Sequence, residues 1–323
     1  MIYPNKLSKC DLIEIISPSN GIIKEKKIEE LEFAKKFLSS KGFKIIEDTY
    51  VRSSINGVSA CEEKRANELN NAINNKDIKA LIACSGGDFL IEILDLIRFN
   101  DFKKNIKWIQ GQSDITSLLY YITTKLDIAT IYSFNVKTFG NKNVPKKMLD
   151  NNINFLENNP IVQKEYGYRL DNEKTNMNWE CITKFESIKG RIIGGCLDSL
   201  KDLIGTKYDN TKRFIERYKN DGIIWYFDIA EMTNEDVLRT MWQLKQLNWF
   251  KYCKGIVFGR LYKEINYTGI SLRDAINYCL EKLNIPIIIN ADIGHTNPVM
   301  TIVNGSIVKI SYKESFEMET LFE

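Results

Sequence analysis

WIQGQSDITSLL, residues 108–119, joins a short apolar run, a polar turn around Ser113 and the start of an amphipathic stretch. The run reads as a strand over Trp108–Gln110 and the stretch from Ile115 to Thr124 as a helix. The same unit recurs on both sides. Upstream, Leu12–Ile16, Phe43–Ile46 and Ala80–Cys84 read as strands, with helices over Lys24–Ser40, Glu62–Asn74 and Phe89–Ile97. Gly42 stands where a helix C-terminus needs it. Downstream, Ala129–Ile131 is a further strand. Strands alternating with helices imply right-handed crossovers and a parallel, doubly wound sheet.

That α/β rhythm defines an N-terminal domain over residues 1–140, Rossmann-like or flavodoxin-like in type. Residues 141–190 are polar, Asn-rich and turn-prone and read as a connector. Residues 191–323 read as a mixed α/β domain, with strands at Ile223–Phe227 and Gly255–Phe258, a helix over Asn234–Leu247 and an apolar run at Ile285–Asn290. Val303-Asn304-Gly305-Ser306 lies between Met300–Ile302 and Ile307–Ile310, which predicts a β-hairpin.

Composition narrows the function classes. Across 323 residues, 45 Lys plus Arg against 42 Asp plus Glu leave a formal charge of +3, without the basic excess of a dedicated nucleic-acid binder. A hydrophobic fraction of 44% with 27% charged residues describes a folded globular chain. No segment has the length and apolarity of a spanning helix. The N-terminus lacks an apolar leader, and Lys9 spoils the Leu7–Cys10 lipoprotein pattern, so a cytoplasmic location without membrane attachment is expected. Seven cysteines without a CxxC pair suit reduced thiols better than disulfides or a zinc cage.

In an open parallel sheet, ligands bind beyond the carboxyl ends of the strands. This singles out Ser17–Gly21, Ser85–Asp88, Gly111–Asp114 and the later Gly294–Asn297. Ser113, between strand and helix, fits the logic of a nucleophile elbow, although Asp114 follows without the second Gly of GxSxG. Equally, Ser113 or Asp114 could cap the next helix. His295 is the sole histidine, so a serine hydrolase must bring it to Ser113 as base, and metal sites built on several histidines are excluded. Gly86-Gly87 allows close backbone approach to an oxyanion or phosphate, or is merely a tight turn. Neither GxGxxG nor GxxxxGK[ST] is present, which disfavours a nucleotide cofactor. Asp228 ends an apolar strand where a carboxylate can orient an imidazole, with Glu231 as a second candidate.

In combination these segments resemble the LD-carboxypeptidase family of serine peptidases, which includes the microcin C self-immunity proteins. The segments that carry the resemblance are ISPSN, SGGDFLIEILDLIRF, GQSDIT, IIGGCLDSLKDLIGT, WYFDIAEMTNEDVLRTMWQLKQLNWF and DIGHTNP, in the family's order along nearly the whole chain. The resemblance implies Ser113 as nucleophile, His295 as general base and Asp228 as the acid, where the family typically has Glu. It further implies an oxyanion hole from the backbone N–H groups of Gly87 and Asp114, no cofactor or metal, and a homodimer. Cys196 stands where the family often carries Asn for substrate contact, and Trp179 is a candidate for stacking on a nucleobase or for buried packing.

The activity so implied is cleavage of an L,D peptide bond in murein stem peptides, releasing terminal D-alanine during cell-wall recycling. A second reading is hydrolysis of a peptidyl-nucleotide antibiotic, as in microcin immunity. A third, motivated by Asp228 and Cys196, is a non-catalytic binding protein on the same scaffold.

Overall fold

The computed structural model describes residues 1–170, 173–183 and 185–323; Asp171, Asn172 and Lys184, all within the expected connector, lie outside the described residues. The chain divides into two compact units, Met1–Asn159 with Thr301–Asn304, and Pro160–Met300 with Gly305–Glu323.

In the first unit a six-stranded sheet runs in the order Ile302–Asn304, Thr130–Tyr132, Trp108–Gly111, Ile78–Ala83, Leu12–Ile16, Lys44–Glu47. Five strands are parallel, and only Ile302–Asn304 runs antiparallel to its neighbour Thr130–Tyr132. Strands covered on both faces read as continuous apolar runs, and Ile13, Ile15, Ala80, Leu81 and Ile82 are fully buried. Helix Glu25–Ser40 sends Leu31, Ala34 and Leu38 inward at helical spacing. Gly42, at φ +99°, then ends it.

In the second unit an eight-stranded sheet runs in the order Val162–Lys164, Phe316–Leu321, Ile307–Tyr312, Ser187–Cys196, Ile223–Asp228, Cys253–Gly259, Ile287–Ala291, Glu180–Cys181. Its four central strands, Ser187–Cys196 to Ile287–Ala291, are parallel, and antiparallel strands flank them on both sides. Helix Asn234–Gln246 begins at Thr233, whose Oγ accepts the Asp236 N–H. Trp225 packs parallel to Trp249 at 5.1 Å and donates its Nε1–H to the Trp249 carbonyl.

Three expectations are corrected. Asn304-Gly305 does not close a hairpin: Ile302–Asn304 pairs with Thr130–Tyr132, whereas Ile307–Tyr312 pairs with Ser187–Arg191 and Phe316–Leu321. Residues 146–156, read as connector, form a helix that buries Met148, Leu149, Ile153, Phe155 and Leu156. The stretch Phe89–Ile97 is a 3-10 turn over Leu90–Leu96 rather than an α-helix. Among the described residues no helix is long and apolar enough to cross a membrane.

Candidate active site

In the first unit, the turns after three adjacent parallel strands converge at the carboxyl end of the sheet. Ser113 has φ +65°, a left-handed conformation that costs a side-chain-bearing residue about 1–2 kcal/mol. The surroundings hold it there. Its N–H approaches the Tyr132 hydroxyl at 3.4 Å, and the preceding Gln112 N–H donates to Asn135 Oδ1 at 3.2 Å. A Cβ on Gly86 would stand 2.8 Å from Ser113 Cβ and 3.1 Å from its Oγ, so glycine is required there for the approach. Gly87, at φ +155°, has no room for a Cβ, which would lie 2.3 Å from Ser19 Oγ.

Asp114 is no helix cap. Its buried carboxylate accepts from Ser19 Oγ at 2.5 Å and from the Leu90 N–H at 2.9 Å. Burial raises its pKa, opposed by the Ser19 hydrogen bond. Gln112 and Ile115, which precede the two helical turns here, make no side-chain cap bond either. Ser113 is therefore a strained residue on a strand-to-helix turn, with the first amides of a helical segment behind it, and such amides point at developing negative charge. Ser19 is a site-forming residue that the motif analysis left without a role. Its signal was its place in a Pro-Ser turn at a strand's carboxyl end.

In the second unit, Cys196 and Asp228 end neighbouring parallel strands and are direct register partners. His295 sits on the turn after Ile287–Ala291. Its Nδ1 lies 2.9 Å from Asp228 Oδ2. The distance is that of a charge-assisted pair. Burial acts to lower the His295 pKa, but the Asp228 charge and contact outweigh it, so the imidazole titrates above 6.5. Asp228 is fully buried and the His295 side chain is 24% exposed. Glu231 is exposed, and its backbone N–H donates to Asp198 Oδ1 at 2.8 Å.

The His295 turn is braced from below. Arg260 and Asp292, both fully buried, form an ion pair at 2.8 Å. Arg260 also donates to the carbonyls of Tyr168, Thr296 and Pro298. Asp292 Oδ2 accepts the Tyr166 N–H and the Trp179 Nε1–H at 2.8 and 2.9 Å. Trp179 is buried and stacked on Phe316 at 5.5 Å, so here its ring packs and braces. Sequence reasoning missed Arg260 and Asp292, whose only local signals were charges at the ends of apolar runs.

Comparison with known proteins agrees with this architecture. Residues 13–133 match the model of the LD-carboxypeptidase N-terminal domain, and residues 189–310 match that of the C-terminal domain. The chain is 27% identical over 327 residues to YocD of Bacillus subtilis, which is named as a carboxypeptidase, with 96% of both chains covered. It is 25% identical over 304 residues to the microcin C7 self-immunity protein MccF of Escherichia coli, covering 85% of this chain and 83% of MccF. A crystal structure of an MccF-like protein from Bacillus anthracis is similar with a TM-score of 0.85 at 25% identity over the full length of both chains. With both halves matched in order, the chain belongs to the LD-carboxypeptidase family.

Proposed function

We propose that the protein is a serine-type LD-carboxypeptidase acting on murein stem peptides. Family membership supports the coarser statement, a peptidase-type or MccF-like hydrolase. In the proposed reaction the Ser113 hydroxyl attacks the carbonyl of an L,D peptide bond. His295 takes the hydroxyl proton and returns it to the leaving amine, and Asp228 orients the imidazole and stabilises its charged form. The backbone N–H groups of Gly87 and Asp114 receive the oxyanion; one such donor is worth about a hundredfold to a thousandfold in rate. Water then releases the acyl group, with terminal D-alanine as the first product. We place the reaction in the cytoplasm, in cell-wall recycling, and expect a homodimer. Cys196 and Trp179 are proposed to shape substrate preference, Cys196 by lining the acid's strand end and Trp179 by bracing.

The observation that carries this reading is the sole imidazole held 2.9 Å from a buried carboxylate on a glycine turn. A second reading, hydrolysis of a peptidyl nucleotide, is favoured by the likeness to MccF, whose structures include a complex with aspartyl sulfamoyl adenosine. Parallel assays on an L,D-tetrapeptide and on aspartyl sulfamoyl adenosine separate the two. Ser113→Ala should abolish turnover on the preferred substrate while leaving the circular dichroism spectrum unchanged. Wild-type protein with no turnover on either compound and no acyl adduct by mass spectrometry would instead favour the non-catalytic binding protein.

A further inference from the structure

We infer that Cys196, Asp228 and His295 form a binding site for a soft divalent cation such as Zn²⁺ or Co²⁺, and that the ion, when bound, inhibits the enzyme rather than serving it.

The three side chains present one sulfur, one oxygen and one nitrogen donor, all within 4.8 Å of one another. Tetrahedral zinc with bonds of about 2.0–2.3 Å needs donor separations of roughly 3.3–3.6 Å. The present spacing, 2.9 Å for Nδ1 to Oδ2 and up to 4.8 Å overall, brackets that range, so shifts of under about 1 Å suffice. The donors are also held firmly. Cys196 and Asp228 are register partners at the ends of parallel strands, and His295 is carried on the turn braced by Arg260.

The charge around the site favours a cation. The Cys196 Sγ–H points to Asp198 Oδ2 at 3.6 Å, and Asp198 is itself fixed by the N–H groups of Ala230 and Glu231. Such outer carboxylates orient and strengthen metal ligands. On binding, the thiol releases its proton to solvent and the sulfur becomes a thiolate ligand. His295 binds through Nδ1, which leaves its proton on Nε2. Open coordination then falls to water. A neutral imidazole with both nitrogens so occupied cannot accept a proton, and this inhibitory consequence rests on the proposed hydrolase function.

The test is titration of the full-length protein with Co²⁺, followed through the thiolate-to-cobalt charge-transfer band, and with Zn²⁺, followed through the proton resonance of the only histidine. We expect one equivalent of Co²⁺ to give the band, and Cys196→Ser to lose it while weakening binding at least tenfold. In wild-type protein alone, Zn²⁺ should stop the pH titration of the imidazole, which keeps the proposal testable if the variant does not fold. A band that persists in Cys196→Ser, reporting another of the seven cysteines, overturns the assignment. So does a wild-type imidazole that titrates normally with saturating Zn²⁺. Cobalt binding in a protein inactive on every amide would uphold this site and sink the hydrolase reading. Activity indifferent to Zn²⁺, with no cobalt band, would sink this proposal alone.

Discussion

Replacing Asp228 with Asn keeps the size of the side chain and removes its charge. In the wild-type protein burial pushes the His295 pKa down, and the Asp228 carboxylate 2.9 Å away, with smaller help from Asp198 and Glu231, pushes it up and prevails. Removing the Asp228 charge removes the largest of the raising effects, so the pKa should drop. An opposite charge at such a distance typically moves a pKa by about 1–3 units, roughly 1.4–4 kcal/mol. Because His295 is the only histidine, its ring protons can be followed by NMR without assignment. The sign carries two further consequences. Stability from the His295–Asp228 pair is fully present below about pH 6.5 and is lost as pH rises through the raised folded pKa; Asp228→Asn should flatten this dependence. Turnover needs the neutral base, so the acidic limb of kcat/KM should follow the NMR value and move down in the variant, while kcat falls by as much as about ten-thousandfold. A wild-type imidazole titrating below 6.5, or one unmoved by Asp228→Asn, would refute the pairing on which the mechanism depends.

Two other perturbations test the first unit. Gly86→Ala should cost about 1–3 kcal/mol in urea unfolding, because its Cβ meets Ser113 Cβ at 2.8 Å, and, on the proposed function, about a hundredfold in kcat/KM through displacement of Ser113; full turnover in this variant would show that the Ser113 turn is not tightly held. Glu14 is buried, and burial first, then the charges of Asp48 and Glu68, raise its pKa from 4.5 to about 7. The fold thus prefers the protonated acid, a preference fully present below about pH 4.5 and lost as pH rises through about 7, so Glu14→Gln should stabilise by up to roughly 3 kcal/mol near pH 8.5 and little near pH 5. Equal unfolding midpoints for the two proteins near pH 8.5 would count against a buried acid.

Most of the parallel strands were legible because burial on both faces writes them as unbroken apolar runs: Leu12–Ile16 and Ile223–Asp228 need no context to be seen. What failed was pairing and local burial. Asn304-Gly305 carries the strongest short-range hairpin signal, yet its two flanking strands find better partners in different sheets, at Thr130–Tyr132 and Ser187–Arg191. Gly305, at φ +85°, serves the change of course, and its N–H donates to the Ile192 carbonyl. Helix 146–156 hid behind its asparagines, although Asn152 is buried and donates to Thr301 Oγ1 at 3.0 Å. The left-handed turn at Ser113 is one backbone angle, which residue types do not encode. Even so, the turns that converge in the first unit were readable as strand ends, because the topology of a parallel sheet fixes where ligands can reach.

Asp228 is the clearest case of a residue whose setting only structure explains. Its short side chain, buried at a strand end, reaches the imidazole only where the backbone that carries His295 comes close. Here the chain closes the gap from the other side. Gly294 adopts φ +106°, and a Cβ at that position would lie 2.0 Å from Asp228 Oδ1, so the turn that carries His295 lies directly against the carboxylate. Arg260 holds the turn there by binding the Thr296 and Pro298 carbonyls just beyond the histidine. Gly294 and Asp228 are thus packed as one unit. A Cβ at 294 would collide with the Asp228 carboxylate, so any larger residue there would displace the turn that carries His295. A short acid beneath a bare backbone turn keeps the 2.9 Å contact with the imidazole.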